Sequence, residues 1–459
     1  MLVGHWQDPN SYYRRMPTLK KLFWAYFLLL IFEGALRKWI VPQLSAPLLL
    51  VRDPVAMLII LEAYRTNKWP EKWSVVTSIL SAGLVGLCFL QAVVGNNPWV
   101  AAVYGLRSYL LPFPVAFIMG ENLDAEDLRK FGVCALWLML PETLLEIAQY
   151  IAPAHSFLNA GAYAGAEQIG YAGAHVRASG TFSFVSGPAI YGPLVAVFLL
   201  YGLVDEKFAK KWLLWAVTAA LILSVPMVGS RSYVVQLATV VVAAGVAGMF
   251  GVSQFLKLIK IAVPLMAMFF VVSLLPVFSR ATSTMTERFQ GANEVEGGGS
   301  IKAVLAHRVA TPLLTRIEET DYSSNPIGIG MGRGAPAITT LLEGTASFAA
   351  GEGELDHLII EFGPYPGMAF VLFCLFLGLT ILGGAIARAR KGEPLALLLS
   401  PLMIVAVVLS VLEQPTGQGF MVILTAFSLA AVKPSGVVVR PASTLSNLPR
   451  PLRYSSLGR

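Results

Sequence analysis

The chain has 459 residues, 56% of them hydrophobic and 13% charged, with a mean hydropathy of +0.67. That is about half the charge of an ordinary soluble domain, so a soluble globule is excluded, and recurring apolar runs of about 20 residues exclude a disordered chain or a nucleic-acid-binding domain. The net charge of +7 acts through where the lysines and arginines fall, because in a membrane protein their position carries more information than their sum.

Residues 1–21 are polar and basic and lead into an apolar run that continues past Trp39 with no small-residue cleavage site. This predicts a cytoplasmic N-terminus and a retained first span. Apolar segments follow at 22–40, 44–64, 73–95, 100–119, 131–151, 186–204, 211–229, 231–250, 258–278, 357–386, 395–412 and 416–432. The expected fold is an all-α polytopic membrane protein with about twelve transmembrane helices and a large extracytoplasmic loop containing short helices. Its parts are a bundle over 22–278, the large loop over 279–356, three C-terminal spans over 357–432 and a disordered cytoplasmic tail over 433–459. Most of the 34 lysines and arginines, among them Lys20, Lys21, Arg65, Lys68, Arg129, Lys207, Lys257 and Arg388, then fall in short inside segments. The positive-inside rule therefore places both termini in the cytoplasm. Cys88, Cys134 and Cys374 lie inside apolar runs with no C-x-x-C spacing, which predicts small hydrophobes and no metal cluster.

Charge within apolar runs is costly, about 2.5–3.5 kcal/mol per group at a helix centre on insertion scales, so each instance needs a partner or a task. Glu33 and Arg37 lie four apart on the first span, and Arg52 precedes Asp53 in the second, which predicts internal ion pairs or snorkelling. Arg107, in Gly105-Leu-Arg-Ser-Tyr109, has no acidic neighbour in sequence. Glu142 and Glu146 share a helical face, either as an acid/base pair or as the seat of a basic partner. Arg231 opens a span directly after Gly229-Ser230, and Arg177 stands ahead of the turn Ser179-Gly180.

The outer connections at 152–185 and 279–356 are too long to be mere links. The larger contains Gly297-Gly298-Gly299, an amphipathic piece from Ile301 to Ile317 and a turn cluster from Asn325 to Pro336, together with Arg280, Arg288, Lys302, Arg308, Arg316 and Arg333. Basic residues on the side that the positive-inside rule depletes point to an anionic substrate at the membrane surface, such as a lipid diphosphate. An arginine clamps phosphate oxygens in a bidentate way that a lysine does not. At the end of the loop stand Glu352, Glu354, Asp356, His357 and Glu361. On a helix Glu354, His357 and Glu361 share one face. They either take a proton from a sugar hydroxyl or complement a helix N-terminus. No Walker A sequence, D-x-D pair or G-x-S-x-G elbow is present, so no metal or other cofactor is expected.

At these residues the chain resembles the O-antigen ligase and polymerase superfamily of bacterial inner-membrane glycan-transfer proteins. The likeness rests on Gly105-Leu-Arg-Ser-Tyr109, on Arg177-Ala-Ser-Gly-Thr-Phe182, on Ser230-Arg231, on Arg308, on Asn325-Pro-Ile-Gly-Ile-Gly-Met-Gly332 and on Glu361-Phe-Gly-Pro-Tyr-Pro-Gly367, and it covers roughly 105–370. The resemblance implies a multi-helix bundle that transfers a glycan from undecaprenyl diphosphate to an acceptor hydroxyl without a metal. It also implies that Arg231, Arg308, Arg177 and Arg107 hold the diphosphate. Family ligases carry His-Asn some nine residues before Glu-x-Gly. Here that position is Glu352, so the implied base is His357, Glu352, Glu354 or Glu361. The expected function is polymerisation of lipid-linked repeats into an exopolysaccharide or O-antigen-type glycan at the periplasmic face of the inner membrane, with an inverting in-line attack. The alternatives are a ligase acting on lipid A core or another acceptor, and a transporter or flippase. The implied partners are the lipid-linked donor, the glycan acceptor, the bilayer and a chain-length regulator.

Overall fold

The structure, a computed structural model, describes residues 17–95, 97–162, 171–172, 175–205, 207–250, 268–295, 326–335, 338–339, 354–410 and 412–434. Among the described residues the structure is all-α apart from one two-residue antiparallel pairing, Tyr171–Ala172 with His175–Val176. In order the helices are α1 (Thr18–Ala35), α2 (Arg52–Arg65), α3 (Glu71–Val93), α4 (Trp99–Leu110), α5 (Pro112–Asn122), α6 (Ala125–Ile151), α7 (Ser186–Val204), α8 (Lys211–Val228), α9 (Arg231–Met249), α10 (Pro276–Val295), α11 (Glu354–Phe362), α12 (Pro364–Ala389), α13 (Leu395–Leu409) and α14 (Pro415–Val432).

Among the described residues, eight helical stretches are long and apolar enough to cross a membrane: α3, α4 with α5, α6, α7, α8, α9, α12 and α14. Twelve were expected from the sequence, and the difference has local causes. The stretch 36–50 forms one π turn and two 3₁₀ turns beginning at Pro42 and Pro47, so α2 keeps only 14 residues of the expected second span. At 1.5 Å per residue it is about 21 Å long, short of the hydrocarbon thickness. Lys20, Lys21 and Glu33 load charge onto α1, and α13 has 15 residues. The expected span at 258–278 is described only from residue 268. The Gly297–Gly299 stretch, the piece Ile301–Ile317, Arg308, Glu352 and the tail beyond residue 434 lie outside the described residues.

The helices run back and forth between two ends. At one end Lys20 bonds Asp124 and Asp127, Asn122 donates to the Lys68 carbonyl, Arg129 donates to the Phe208 carbonyl and Lys433 donates to the Glu121 carbonyl. The described basic residues expected on the inside, from Lys20 through Arg129 to Arg388, all belong to this end, the Lys20 end. Asp124 and Asp127 also form a capping box that starts α6. At the other end, the Arg37 end, α8 terminates in Gly229 at φ +55°, a left-handed C-cap that turns the chain at once into α9.

Helix α14 is the centre of the bundle, almost wholly buried against α5, α7, α12 and α13, whereas α3 is mostly exposed and faces outward. Aromatic packing joins α14 to its neighbours: Phe427 lies 5.3 Å from the ring of Phe131, and Phe131 stacks on Trp24 at 4.0 Å. Because Cys88, Cys134 and Cys374 are free and lie in helices, single cysteines on a cysteine-free background report the two ends. Thr66→Cys and Lys391→Cys should react with an impermeant maleimide from one side of intact membranes, and Gln43→Cys and His155→Cys from the other. Labelling of all four from one side would contradict the alternation.

Candidate functional site

At the Arg37 end, segments far apart in sequence assemble into two adjoining groups. The first is built on Gln91, at the end of α3. Its amide nitrogen donates to the carbonyls of Ile327 at 2.6 Å and Glu361 at 2.7 Å, and its amide oxygen accepts the Met331 N–H at 2.9 Å. Asn97 donates to the Met331 carbonyl at 3.1 Å. Glu361, wholly buried on α11, accepts the N–H groups of Gly332 at 3.0 Å and Gly334 at 2.7 Å, one on each carboxylate oxygen. The segment 326–335 is thereby fastened between α3, α4 and α11. Its approach is close enough that a methyl group on Gly105 would lie 2.4 Å from the Gly332 nitrogen, so the Gly105 position on α4 admits only glycine. Tyr109 closes the group by packing edge-on to Phe362, with centroids 4.8 Å apart. Glu361 lies ahead of the span that begins at Pro364. Burial pushes its carboxyl up to about 7, against the lowering effect of Glu413 and of the Gly332 and Gly334 N–H groups.

Beside Glu361 stand His357, also wholly buried, and Glu413, which lies in the turn between α13 and α14. His357 Nδ1 is 3.8 Å from Glu413 Oε2. One donor atom from each of His357, Glu361 and Glu413 lies within 4.8 Å of the others, a nitrogen-and-oxygen set able to hold a divalent cation. Tyr104 donates to the Glu413 carbonyl at 3.3 Å and carries Arg107 over its ring at 4.4 Å. Arg107 meets both oxygens of Asp53, at 3.1 and 3.0 Å, the acidic partner that its sequence neighbourhood does not contain. Its Nε and Nη2 are buried and make no hydrogen bond. Glu33 faces Arg37 at 3.7 Å, as the i, i+4 spacing predicts, whereas Arg52 bonds Glu33 at 2.9 Å and the Pro415 carbonyl and leaves its sequence neighbour Asp53 to Arg107.

The second group is built on the segment 177–183. Gln149 of α6 accepts the N–H groups of Ser179 and Gly180 and donates to the Gly180 carbonyl. Lys38 donates to Ser179 Oγ and the Gly180 carbonyl, and Arg37 to Ser183 Oγ. The Ala178 N–H bonds the Met227 carbonyl, and Arg177 Nε donates to the Val228 carbonyl at 3.3 Å. Arg177 is thus carried to the α8–α9 junction, where Arg231 opens α9, and both arginines are half-buried. Phe182 of the second group packs 5.8 Å from Phe420 of α14, the helix whose first residue, Pro415, accepts the Arg52 bond.

Of the candidates read from sequence, Arg177 and Arg231 share one junction, Arg107 lies with Asp53, and His357 and Glu361 lie together. Glu354 begins α11, while Glu352 and Arg308 lie outside the described residues. Sequence reasoning missed Lys38, Gln91, Asn97, Gln149 and Glu413. Glu413 carries a readable signal: like Glu361 it is an acid just ahead of a proline that opens a helix.

No protein-family model matches the chain, and neither a curated protein nor a solved structure matches it. The molecule is an all-α polytopic membrane protein with a buried polar assembly at one end. Replacing Glu361 by alanine leaves the Gly332 and Gly334 N–H groups without acceptors, at a cost of about 1–3 kcal/mol each. The exposed Arg333 between them should then be cut by trypsin at least about tenfold faster than in the native protein. Unchanged cleavage would show that Glu361 does not hold this segment.

Proposed function

We propose that the chain is a glycosyltransferase that polymerises undecaprenyl-diphosphate-linked oligosaccharide repeats into an exopolysaccharide or O-antigen-type glycan. The reaction takes place at the outer face of a bacterial cytoplasmic membrane, with the Arg37 end outward and both termini in the cytoplasm. The observation that carries this reading is the convergence of five resemblance-bearing segments at one end of the bundle. Gly105–Tyr109, 326–332 and Glu361–Gly363 form one group, and Arg177–Phe182 and Ser230–Arg231 form the other.

In this reading Arg231 and Arg177, with Arg308, hold the donor diphosphate. Arg107, braced by Asp53, retains two nitrogens for an anion. The acceptor hydroxyl attacks the anomeric carbon in line and inverts it, forming the new glycosidic C–O bond as the bond to the diphosphate oxygen breaks. Undecaprenyl diphosphate leaves with the electron pair, and the guanidinium groups stabilise the charge that develops on it. The hydroxyl proton passes to His357, whose imidazole lies beside Glu413, to Glu354 at the start of the same helix, or to Glu352. Glu361 has a different part: its bonds to the Gly332 and Gly334 N–H groups seat the segment that walls the site.

Purified protein incubated with a lipid-linked repeat from its own host should give a ladder of products spaced by one repeat. Arg231→Ala should slow ladder formation by about 100-fold, the usual effect of removing one charge-stabilising donor, while leaving the fold intact. A ladder unaffected by Arg231→Ala would remove the diphosphate assignment. Transfer seen only when lipid A core or another acceptor is supplied would make the protein a ligase, and uptake of the donor into proteoliposomes without covalent change would make it a transporter.

A further inference from the structure

Between α6, α8 and α9 lies a cluster of charge that the proposed reaction does not use. Glu142 and Glu146 lie four residues apart on one face of α6 and are 3% and 0% exposed. Glu142 is answered: its Oε1 accepts the Thr181 N–H at 2.8 Å, and the buried Lys38 ammonium faces it. Lys38 in turn donates to Ser179 Oγ at 2.6 Å and to the Gly180 carbonyl at 2.9 Å. Glu146 is not answered. Neither of its carboxylate oxygens has a hydrogen-bond partner, and the charged group that faces it is another carboxylate, Glu142. The remaining wall is hydroxyl oxygen: Ser224 of α8 lies beside the carboxylate, and Tyr233 of α9 donates to Ser224 Oγ at 3.2 Å.

With all three ionised, Lys38, Glu142 and Glu146 leave one negative charge uncompensated among the described residues, in a buried place where an isolated carboxylate is strongly disfavoured. We propose that a sodium ion occupies this place, held by the Glu146 carboxylate with oxygens of Glu142 and Ser224. One excess charge calls for a monovalent ion, and a donor set made only of carboxylate and hydroxyl oxygens suits a hard cation. Both oxygens of Glu146 are buried, and the polar groups beside them, the Glu142 carboxylate and the Ser224 hydroxyl, are all oxygen donors to a cation. The ion ties α6 to α8 and α9, one helical turn from the Glu142–Thr181 bond that seats the segment carrying Arg177. Its presence does not depend on the transferase reading.

The test is thermal unfolding of the purified full chain in sodium, potassium and choline chloride at equal ionic strength, with equilibrium binding of radioactive sodium beside it. Sodium should raise Tm saturably, by at least about 3 °C over the other two salts, because a ligand bound only by the folded state stabilises it by mass action. Glu146→Gln, nearly equal in shape but uncharged, should abolish that response and the saturable binding. Equal Tm in the three salts, or a sodium response kept by Glu146→Gln, would overturn the proposal. Should that variant fail to fold, saturable sodium binding to the native chain supports the site, and its absence overturns it.

Discussion

An apolar bundle tolerates ionised groups only when opposite charge or hydrogen-bond donors answer them, and the Arg37 end is organised by that constraint. Glu33 is the clearest case. It is 3% exposed and meets Arg52 at 2.9 Å and Arg37 at 3.7 Å, so one carboxylate joins the end of α1, the irregular stretch that follows it and the start of α2. Arg52 extends the tie to the Pro415 carbonyl at the mouth of α14, and Arg37 extends it to the Ser45 carbonyl and Ser183 Oγ. Removing Arg52 alone would leave Glu33 without its nearest cation, which makes the pair stronger as a bond between elements than as a net gain in stability.

The helix lengths follow from the same pressure. A continuous second span would carry Arg52 and Asp53 at its middle. The chain instead uses 3₁₀ turns at Pro42 and Pro47, and α2 starts at Arg52, which puts both charges at a helix end among their partners. The fourth expected span divides where Pro112 lacks the N–H of a continuous helix, with Arg107 in the last turn of α4 beside Asp53. At Glu361 the mechanism is the same with neutral donors: backbone N–H groups answer the carboxylate, and the segment that supplies them is held in place by doing so.

The apolar runs made the membrane class legible in the sequence. The partners of buried charges were less so, for a geometric reason. Glu33 and Arg37 were readable because four residues make one helical turn. Arg107 and Asp53 are 54 residues apart, and Lys38 reaches Gly180 across 142. Such pairs are fixed by which helices pack side by side, and no local pattern encodes that. Gln91 was invisible for a different reason: an uncharged amide at the end of an apolar run has no unusual composition. Yet its three bonds to 327, 331 and 361 position the whole first group. The order of short glycine-bearing motifs was a better guide than their charges. Gly105 and Gly332 matter because two backbones touch there, a requirement that sequence displays as glycine in both places.

The two groups at the Arg37 end differ in how firmly they are held, and this bears on how a site there would work. In the first, Glu361, Gln91 and Asn97 bond backbone at fixed distances, and His357 is wholly buried beside them. In the second, the half-buried Arg177 stands ahead of a turn that Gln149, Lys38 and Glu142 grip from behind, and the half-buried Arg231 opens α9 at the junction that Arg177 reaches. Rigid support behind accessible cations lets a guanidinium meet an anion with little reorganisation, because the backbone that carries it is already seated. Phe182 of the second group packs against Phe420 of α14, and the Arg52 bond to Pro415 fixes the end of that helix next to Glu413. The helix that forms the centre of the bundle therefore also sets the spacing between the accessible arginines and the buried acid–histidine cluster. A change in how α14 packs would move both at once.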